Sequence, residues 1–265
     1  MKRIASLLSG EAFSVVAAAN RRVLSGVSAW LDDPTYGASL CGYGLPAGLR
    51  AHIDLDIGPA PTYSDAILYL SSRLAGPARY FEIGVSAGKN FLQAAMFFDN
   101  AVLVGFDIER MNPELERHFN ARAVLEEWPS PRRSVRKDAS SLAAYCQPGR
   151  DNRVFYCCAD INDESAWQRL EGHSFNIIFS DAVHAPESVL HELRMVMRHH
   201  LLDTDEFIIA MDDLAGPMVT AFDEVWDTVG GRGAYREIVS LNGWLGKNEP
   251  PHQVGFIVRP ATNFL

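Results

Sequence analysis

Six acidic residues and one histidine fall where apolar runs end, a placement that suits ligand chemistry. Glu82 lies at the end of ARYFEIGV, Asp107 in AVLVGFDI, Asp160 in RVFYCCADI and Asp181 in FNIIFSDA; the pair Asp212/Asp213 closes EFIIAMDD, and His184 follows Asp181 by three residues. Short apolar runs bounded by turn residues read as buried strands. Each carboxylate is therefore expected at the carboxyl end of its strand. In an open α/β sheet, ligands bind outside that edge, near the point where strand order reverses.

The segment Glu82-Ile83-Gly84-Val85-Ser86-Ala87-Gly88-Lys89-Asn90 joins a strand to a helix. Gly84 and Gly88 permit a tight turn and close backbone approach by a ligand, and the helix start offers N–H donors; Ser86 and Asn90 belong to the same candidate cradle. The segment is neither GxGxxG nor GxxxxGK[ST]. Lys89 follows Gly88, but the upstream glycine is one position too near and Asn90 stands where a phosphate loop needs Ser or Thr, which argues against a nucleoside triphosphate. A carboxylate opening the turn suits a cationic amine better than a pyrophosphate. Asp107 is placed to accept from ribose hydroxyls, Asp160 to accept from an exocyclic amine, and Ile161 to pack on an adenine face.

The elements that must position these residues alternate. Helical patterns cover Tyr63–Leu74, KNFLQAAMFF, DESAWQRL, PESVLHELRMVMRHHL and MVTAFDEVWDTV, and a polar, helical insertion is expected from Pro113 to Pro148. YREIVSL and HQVGFIVRP read as a closing antiparallel pair. The expectation is an α/β protein with a mainly parallel, seven-stranded Rossmann-like sheet and helices on both faces. Residues 1–60 read as a helical cap and oligomerisation segment with too few apolar residues for a core of their own, and 61–265 as the ligand-binding domain. The N-terminal MKRIASLLSGEAFSVVAAANRR reads as an amphipathic helix packing on the body or on a partner subunit, since Ser9, Gly10 and Glu11 interrupt any signal-like run. A homo-oligomer, dimer or higher, is expected.

The chain has 265 residues, 24 Lys+Arg against 33 Asp+Glu, and a formal charge of −9. That balance argues against nucleic acid as a partner, because phosphate neutralisation needs a basic face. The cluster Arg132, Arg133, Arg136 and Lys137 reads as a solvated loop. Four cysteines make no disulfide framework or CxxC pair, so a reducing, cytoplasmic compartment is expected. Adjacent Cys157 and Cys158 should face opposite sides of one strand. No stretch approaches the roughly 20 apolar residues that span a bilayer.

Taken in order, EIGVSAGKN, GFDI, CCADI, IIFSDAVHAPESVLHEL and IIAMDDL resemble class I S-adenosylmethionine-dependent methyltransferases, over Tyr63 to Pro260. The resemblance is nearest to the metal-dependent macrocin and mycinamicin sugar O-methyltransferases, in which a segment like DGDHxYExV precedes a strand ending in two acidic residues. It implies S-adenosylmethionine as methyl donor and a hydroxyl on a small molecule, such as a sugar of a secondary metabolite, as acceptor. It implies that Glu82, Gly84, Gly88, Asp107 and Asp160 line the donor pocket, with Tyr63 toward the donor's methionine end. It further implies Asp181, Asp212 and Asp213 as hard oxygen ligands for Mg2+, and Asp181 and His184 as catalytic, His184 serving as general base with an ordinary pKa near 6.5. The chain departs from the pattern at Val183, where a second Asp is usual, and at Pro186, where an aromatic is usual. Two readings compete with this one: metal-independent N- or C-methylation, with the acids binding a cationic substrate, and a non-catalytic donor-binding subunit.

Overall fold

The strand Arg79–Ile83 (β1) is the centre from which the sheet grows in both directions. On one side it pairs in parallel with Val102–Asp107 (β2), which pairs in parallel with Arg153–Cys158 (β5). On the other it pairs in parallel with Ile177–Ser180 (β6), which pairs in parallel with Phe207–Met211 (β7). The chain thus builds outward from β1 along one side and then crosses to the other. The gap between the ends of β1 and β6 is the switch point where ligand crevices open. The computed structural model describes residues 4–32, 56–134, 137–243, 245, 246 and 251–261.

Among the described residues the sheet has nine strands rather than the expected seven, in the order β3 (Asn120–Ser134), β4 (Lys137–Cys146), β5, β2, β1, β6, β7, β9 (His252–Arg259), β8 (Tyr235–Leu241). Tyr235–Leu241 (β8) and His252–Arg259 (β9) are the antiparallel pair expected at one edge, β9 lying against β7. The two extra strands, Asn120–Ser134 (β3) and Lys137–Cys146 (β4), come from the insertion read as helical. Among the described residues there, only Pro113–Glu116 is helix, capped by the Asn112 side chain accepting from Glu114 N at 2.8 Å. ARAVLEEW has good helix formers, but β4 pairs antiparallel with β5, and β3 follows it as the edge. Sheet pairing here overrides a weak local propensity. Pro129 and Pro131 are intolerable inside a helix and acceptable on an edge strand. The side chains of Arg132, Arg133, Arg136 and Lys137, and all of Cys41, lie outside the described residues.

Strands buried on both faces alternate between two cores. Tyr80, Leu103, Val154, Phe179 and Ile208 face one, with Ile4–Leu7 (α1), Glu11–Asp32 (α2), Tyr63–Ser71 (α3) and Lys89–Phe97 (α4) packed over them. Phe81, Val104, Ile178 and Ile209 face the other, under Glu164–Gln168 (α6), Pro186–Arg198 (α7) and Pro217–Val229 (α8), with Pro113–Glu116 counted as α5. Cys158 joins the first core and Cys157 the second, as alternation requires. Among the described residues no helix is long and apolar enough to cross a membrane.

The N-terminal helix α2 is tied to the first core by a buried polar junction. Thr62 and Asp65 form a reciprocal capping box at the start of α3. The fully buried Asp65 carboxylate also accepts from Asn20 Nδ2 at 2.6 Å and from Arg21 Nη2 at 3.0 Å. Removing that acceptor leaves Thr62 N without its capping partner and takes one of two acceptors from both Arg21 and Asn20, which keep Ala60 O and Gln93 Oε1. Asp65→Ala is therefore expected to lower unfolding free energy by about 3 kcal/mol, read as a reduced urea midpoint with unchanged m-value.

Candidate functional site

The turn after β1 is built from left-handed backbone. Gly84 has φ +87°, Ser86 +50° and Gly88 +84°. A Cβ on Gly84 would come within 2.4 Å of Asp181 O and 2.5 Å of Ala182 Cα, so only glycine lets the turns after β1 and β6 meet. A second restraint comes from β2. Asp107 Oδ2 accepts from Val85 N at 2.8 Å and Ser86 N at 2.7 Å, while Oδ1 accepts from Glu109 N at 2.7 Å. Asp107 lines the cavity, yet both oxygens already hold backbone N–H groups. Its first role is to fix the turn, and Glu109 brings a second carboxylate to the same wall.

Beyond the turn lies a cavity of about 580 Å³. Tyr63, Gly84, Ser86, Asn90, Asp107, Asp160, Ile161, Asp181, His184, Asp212 and Asp213 all line it, so the folded chain gathers most of the residues picked out from the sequence. Asp160 Oδ1 closes a turn by accepting from Asn162 N and Nδ2, at 2.9 and 2.8 Å. Ile161 adds an apolar side chain, and its carbonyl accepts from Trp167 Nε1 at 2.7 Å. Two of the expected residues do not line the space. Gly88 caps α4 against Leu115, and Glu82 points into the first core. There Glu82 is fully buried and accepts from Tyr80 Oη at 2.6 Å; burial pushes its carboxyl well above the usual range.

At one end of the cavity, acids and imidazoles alternate. Asp181 Oδ1 lies 3.2 Å from His184 Nε2, and His184 Nδ1 lies 3.0 Å from Asp213 Oδ2. Asp213 Oδ1 is 3.0 Å from His252 Nδ1, which lies 3.1 Å from both oxygens of the buried Asp212. His252 escaped sequence reading because HQVGFIVRP looked like nothing more than a closing strand. The missing signal was topological: β9 runs antiparallel to β7, so its first residue meets the carboxyl edge where Asp212 follows β7. Among the described residues, Asp212, Asp213 and His252 form the group whose ligand atoms all fall within 4.8 Å of one another. Asp181, expected in that trio, stands one imidazole away.

The alternation sets the proton affinities. Hydrogen bonding to Asp181 and Asp213 raises His184 to about 10, and bonding to Asp212 and Asp213 raises His252 to about 10. His184 is thus an imidazolium at neutral pH, not the imidazole titrating near 6.5 that a general base would supply. Asp213, bonded to both imidazoles, is held well below the usual carboxylate range. Burial lifts Asp181 to about 6, against the pull of His184. Burial also lifts Glu192 of α7, which accepts from Ser180 Oγ at 2.6 Å, to about 7.

No protein-family model matches the chain, and no curated protein matches it. Solved structures do. One is an S-adenosylmethionine-bound O-methyltransferase, TomG, from Streptomyces achromogenes, involved in tomaymycin synthesis; it is 13% identical, over 95% of this chain and 91% of that one, with a TM-score of 0.46. Another is the plantazolicin methyltransferase BpumL bound to S-adenosylhomocysteine, 10% identical over 95% of this chain and 100% of that one, TM-score 0.46. A third, a candidate S-adenosylmethionine-dependent methyltransferase from Streptococcus mutans, is 11% identical with a TM-score of 0.47; it matches over 81% of this chain, which spans 50% of its length. Likenesses at this level carry no argument about chemistry, which has to rest on the site.

The raised groups give a signed pH dependence. A group that binds its proton more tightly when folded makes stability fall as pH rises from its unfolded to its folded value. For Asp181 that window runs from 3.8 to about 6, for Glu192 from 4.5 to about 7, and for the two imidazoles from 6.5 to about 10. Asp213 opposes them, its contribution being present above 3.8 and lost as pH falls below that value. The urea midpoint is expected to drop between pH 7 and pH 10, and His252→Asn should flatten that drop. A level profile in the wild type would show the imidazoles to be neutral.

Proposed function

We propose that the chain is an S-adenosylmethionine-dependent methyltransferase acting on a hydroxyl of a small molecule. The observation that carries this reading is the cavity at the β1/β6 switch point, with a pinned left-handed turn at one wall and carboxylates from four strand ends around it. Such a cavity suits the donor in three respects. Carboxylates favour a sulfonium and an α-ammonium over a polyphosphate. Ile108, Ile161 and Val183 give apolar wall for a planar base. Glu109 and Asp160 lie on the two strand-end walls where hydroxyl and amine donors would need acceptors.

In the transfer, an acceptor oxygen attacks the methyl carbon, the carbon–sulfur bond breaks with its electron pair passing to sulfur, and the acceptor's proton goes to a base. Positioning does most of this work, because the electrophile arrives ready-made. Asp181 is the group suited to take the proton: it faces the cavity, is ionised at neutral pH, and titrates near it. His184, held between Asp181 and Asp213, orients that carboxylate and offsets its charge.

A divalent cation would be held by Asp212 and Asp213 with His252 as third ligand. It would supply Lewis-acid lowering of the acceptor hydroxyl's pKa. The two carboxylates fit Mg2+, whereas an imidazole ligand fits Mn2+ or Zn2+ better. One observation favours the metal-independent alternative: His184 and His252 already neutralise this cluster by direct ion pairing.

The test is formation of S-adenosylhomocysteine and a mass gain of one methyl across a panel of hydroxylated metabolites. Asp181→Asn is expected to lower kcat by about 100-fold or more with donor affinity retained. EDTA and Asp212→Asn are each expected to abolish turnover if a cation serves the reaction. Undiminished turnover under both treatments would leave the metal-independent reading.

A further inference from the structure

The described residues enclose a second cavity, of about 800 Å³, that shares no lining residue with the first. It lies between α2 and α4, with Glu114 of α5 and His118 at its rim. Leu92, Met96 and Phe97 of α4 and Val23 of α2 give it apolar walls. On the α2 side it is left open by Gly26. That glycine sits inside a 22-residue helix, where it costs stability relative to alanine, and a Cβ there would meet nothing within 4 Å. No packing among the described residues demands it. Because Gly26 lines the cavity, a larger side chain would take up space that the glycine leaves free.

Two polar groups of this cavity lack partners. Asn20 is 3% exposed, and its Nδ2 donates to Asp65 Oδ1 and to Gln93 Oε1, both at 2.6 Å, which fixes the orientation of the amide. Its buried Oδ1 accepts nothing among the described residues. An open buried acceptor is costly, and a donor carried by an occupant would satisfy it. Arg22, exposed at the mouth, makes no hydrogen bond or ion pair among the described residues. Its charged neighbours are already answered: Arg150 pairs with Asp99 at 2.6 Å and Glu114 with Arg117 at 2.7 Å, while burial lowers His118 and leaves it neutral at pH 7. Among the described residues the cavity therefore presents apolar walls, an open acceptor and an unpaired guanidinium.

We propose that this second cavity binds an aromatic carboxylic acid carrying one N–H or O–H donor, its ring against Val23, Met96 and Phe97, its donor toward Asn20 Oδ1 and its carboxylate toward Arg22. A cationic ligand would leave Arg22 unanswered, and a wholly apolar one would leave both polar groups so. The site does not depend on the methyltransferase reading. Its occupant would still bear on the first cavity, because Asn20 joins α2 to Asp65 and Gln93, on the helices that begin with Tyr63 and Lys89.

Titration calorimetry with three probes tests it: indole-3-acetate, 1-methylindole-3-acetate, which lacks the N–H, and tryptamine, which carries an ammonium in place of the carboxylate. The wild type is expected to bind indole-3-acetate at one site per chain, the methylated acid about 5- to 10-fold more weakly, and tryptamine more weakly than the parent acid. Gly26→Leu should weaken indole-3-acetate by about 10-fold or more, with a urea midpoint equal to or above that of the wild type, which shows the variant to be folded. Should that variant fold poorly, Arg22→Gln decides: it should narrow the gap between indole-3-acetate and tryptamine. No saturable binding to the wild type, equal binding of the three probes, or affinity unaltered in a folded Gly26→Leu or in Arg22→Gln overturns the proposal. A wild type that is dimeric while Gly26→Leu is monomeric overturns it too, since the face would then be an interface between copies.

Discussion

The close approach of two backbone turns at Gly84 is the constraint on which the site depends. With a Cβ there the turn would collide with the carbonyl of Asp181 and with Ala182, and the ends of β1 and β6 would have to part. Gly84 N also donates to Phe106 O at 2.8 Å, and Asp181 N to Ile83 O at 2.8 Å, so three parallel strands are sealed up to the rim of the cavity. The left-handed conformations that follow are held open by Asp107, whose carboxylate takes up N–H groups that would otherwise face the ligand space.

Charge is arranged around that constraint with a consistent logic. Carboxylates at strand ends repel one another, and the chain answers by placing imidazoles between them at one end of the cavity and a lysine at the Tyr63 end. The imidazoles keep their protons to high pH, while Asp181, which is desolvated as well as paired, titrates much nearer neutrality. One acid thereby acquires a proton affinity suited to transfer chemistry while its neighbours serve as fixed charges.

The polar junction between α2 and α3 extends this order outward. Asp65 caps the helix that begins with Tyr63, and the same carboxylate holds Asn20 and Arg21 of α2. Asn20 in turn donates to Gln93 of α4, the helix that begins with Lys89. The orientation of the Tyr63 end of the cavity is thus tied to the docking of the N-terminal helix.

Much of this was legible in the order of the residues. Apolar runs of strand length each ending in an acid, glycines spaced for a tight turn, and helices between them specify a two-sided α/β sheet by local pattern, because burial on both faces requires continuous apolar runs. What local pattern could not convey was pairing over distance. The stretch around ARAVLEEW became an edge strand because β4 and β5 offered it hydrogen bonds, an influence no short window contains. His252 entered the site because an antiparallel neighbour brings its start to the edge where parallel strands end. Lys89 changed from an incomplete phosphate-loop residue to the buried neighbour of Tyr63 through the packing of α4 against α3. Sequence alone determined which residue types crowd the carboxyl edge, since periodicity is a local property. Tertiary structure decided which of them touch, and with that their charge states, since proton affinity depends on desolvation and on partners many residues away.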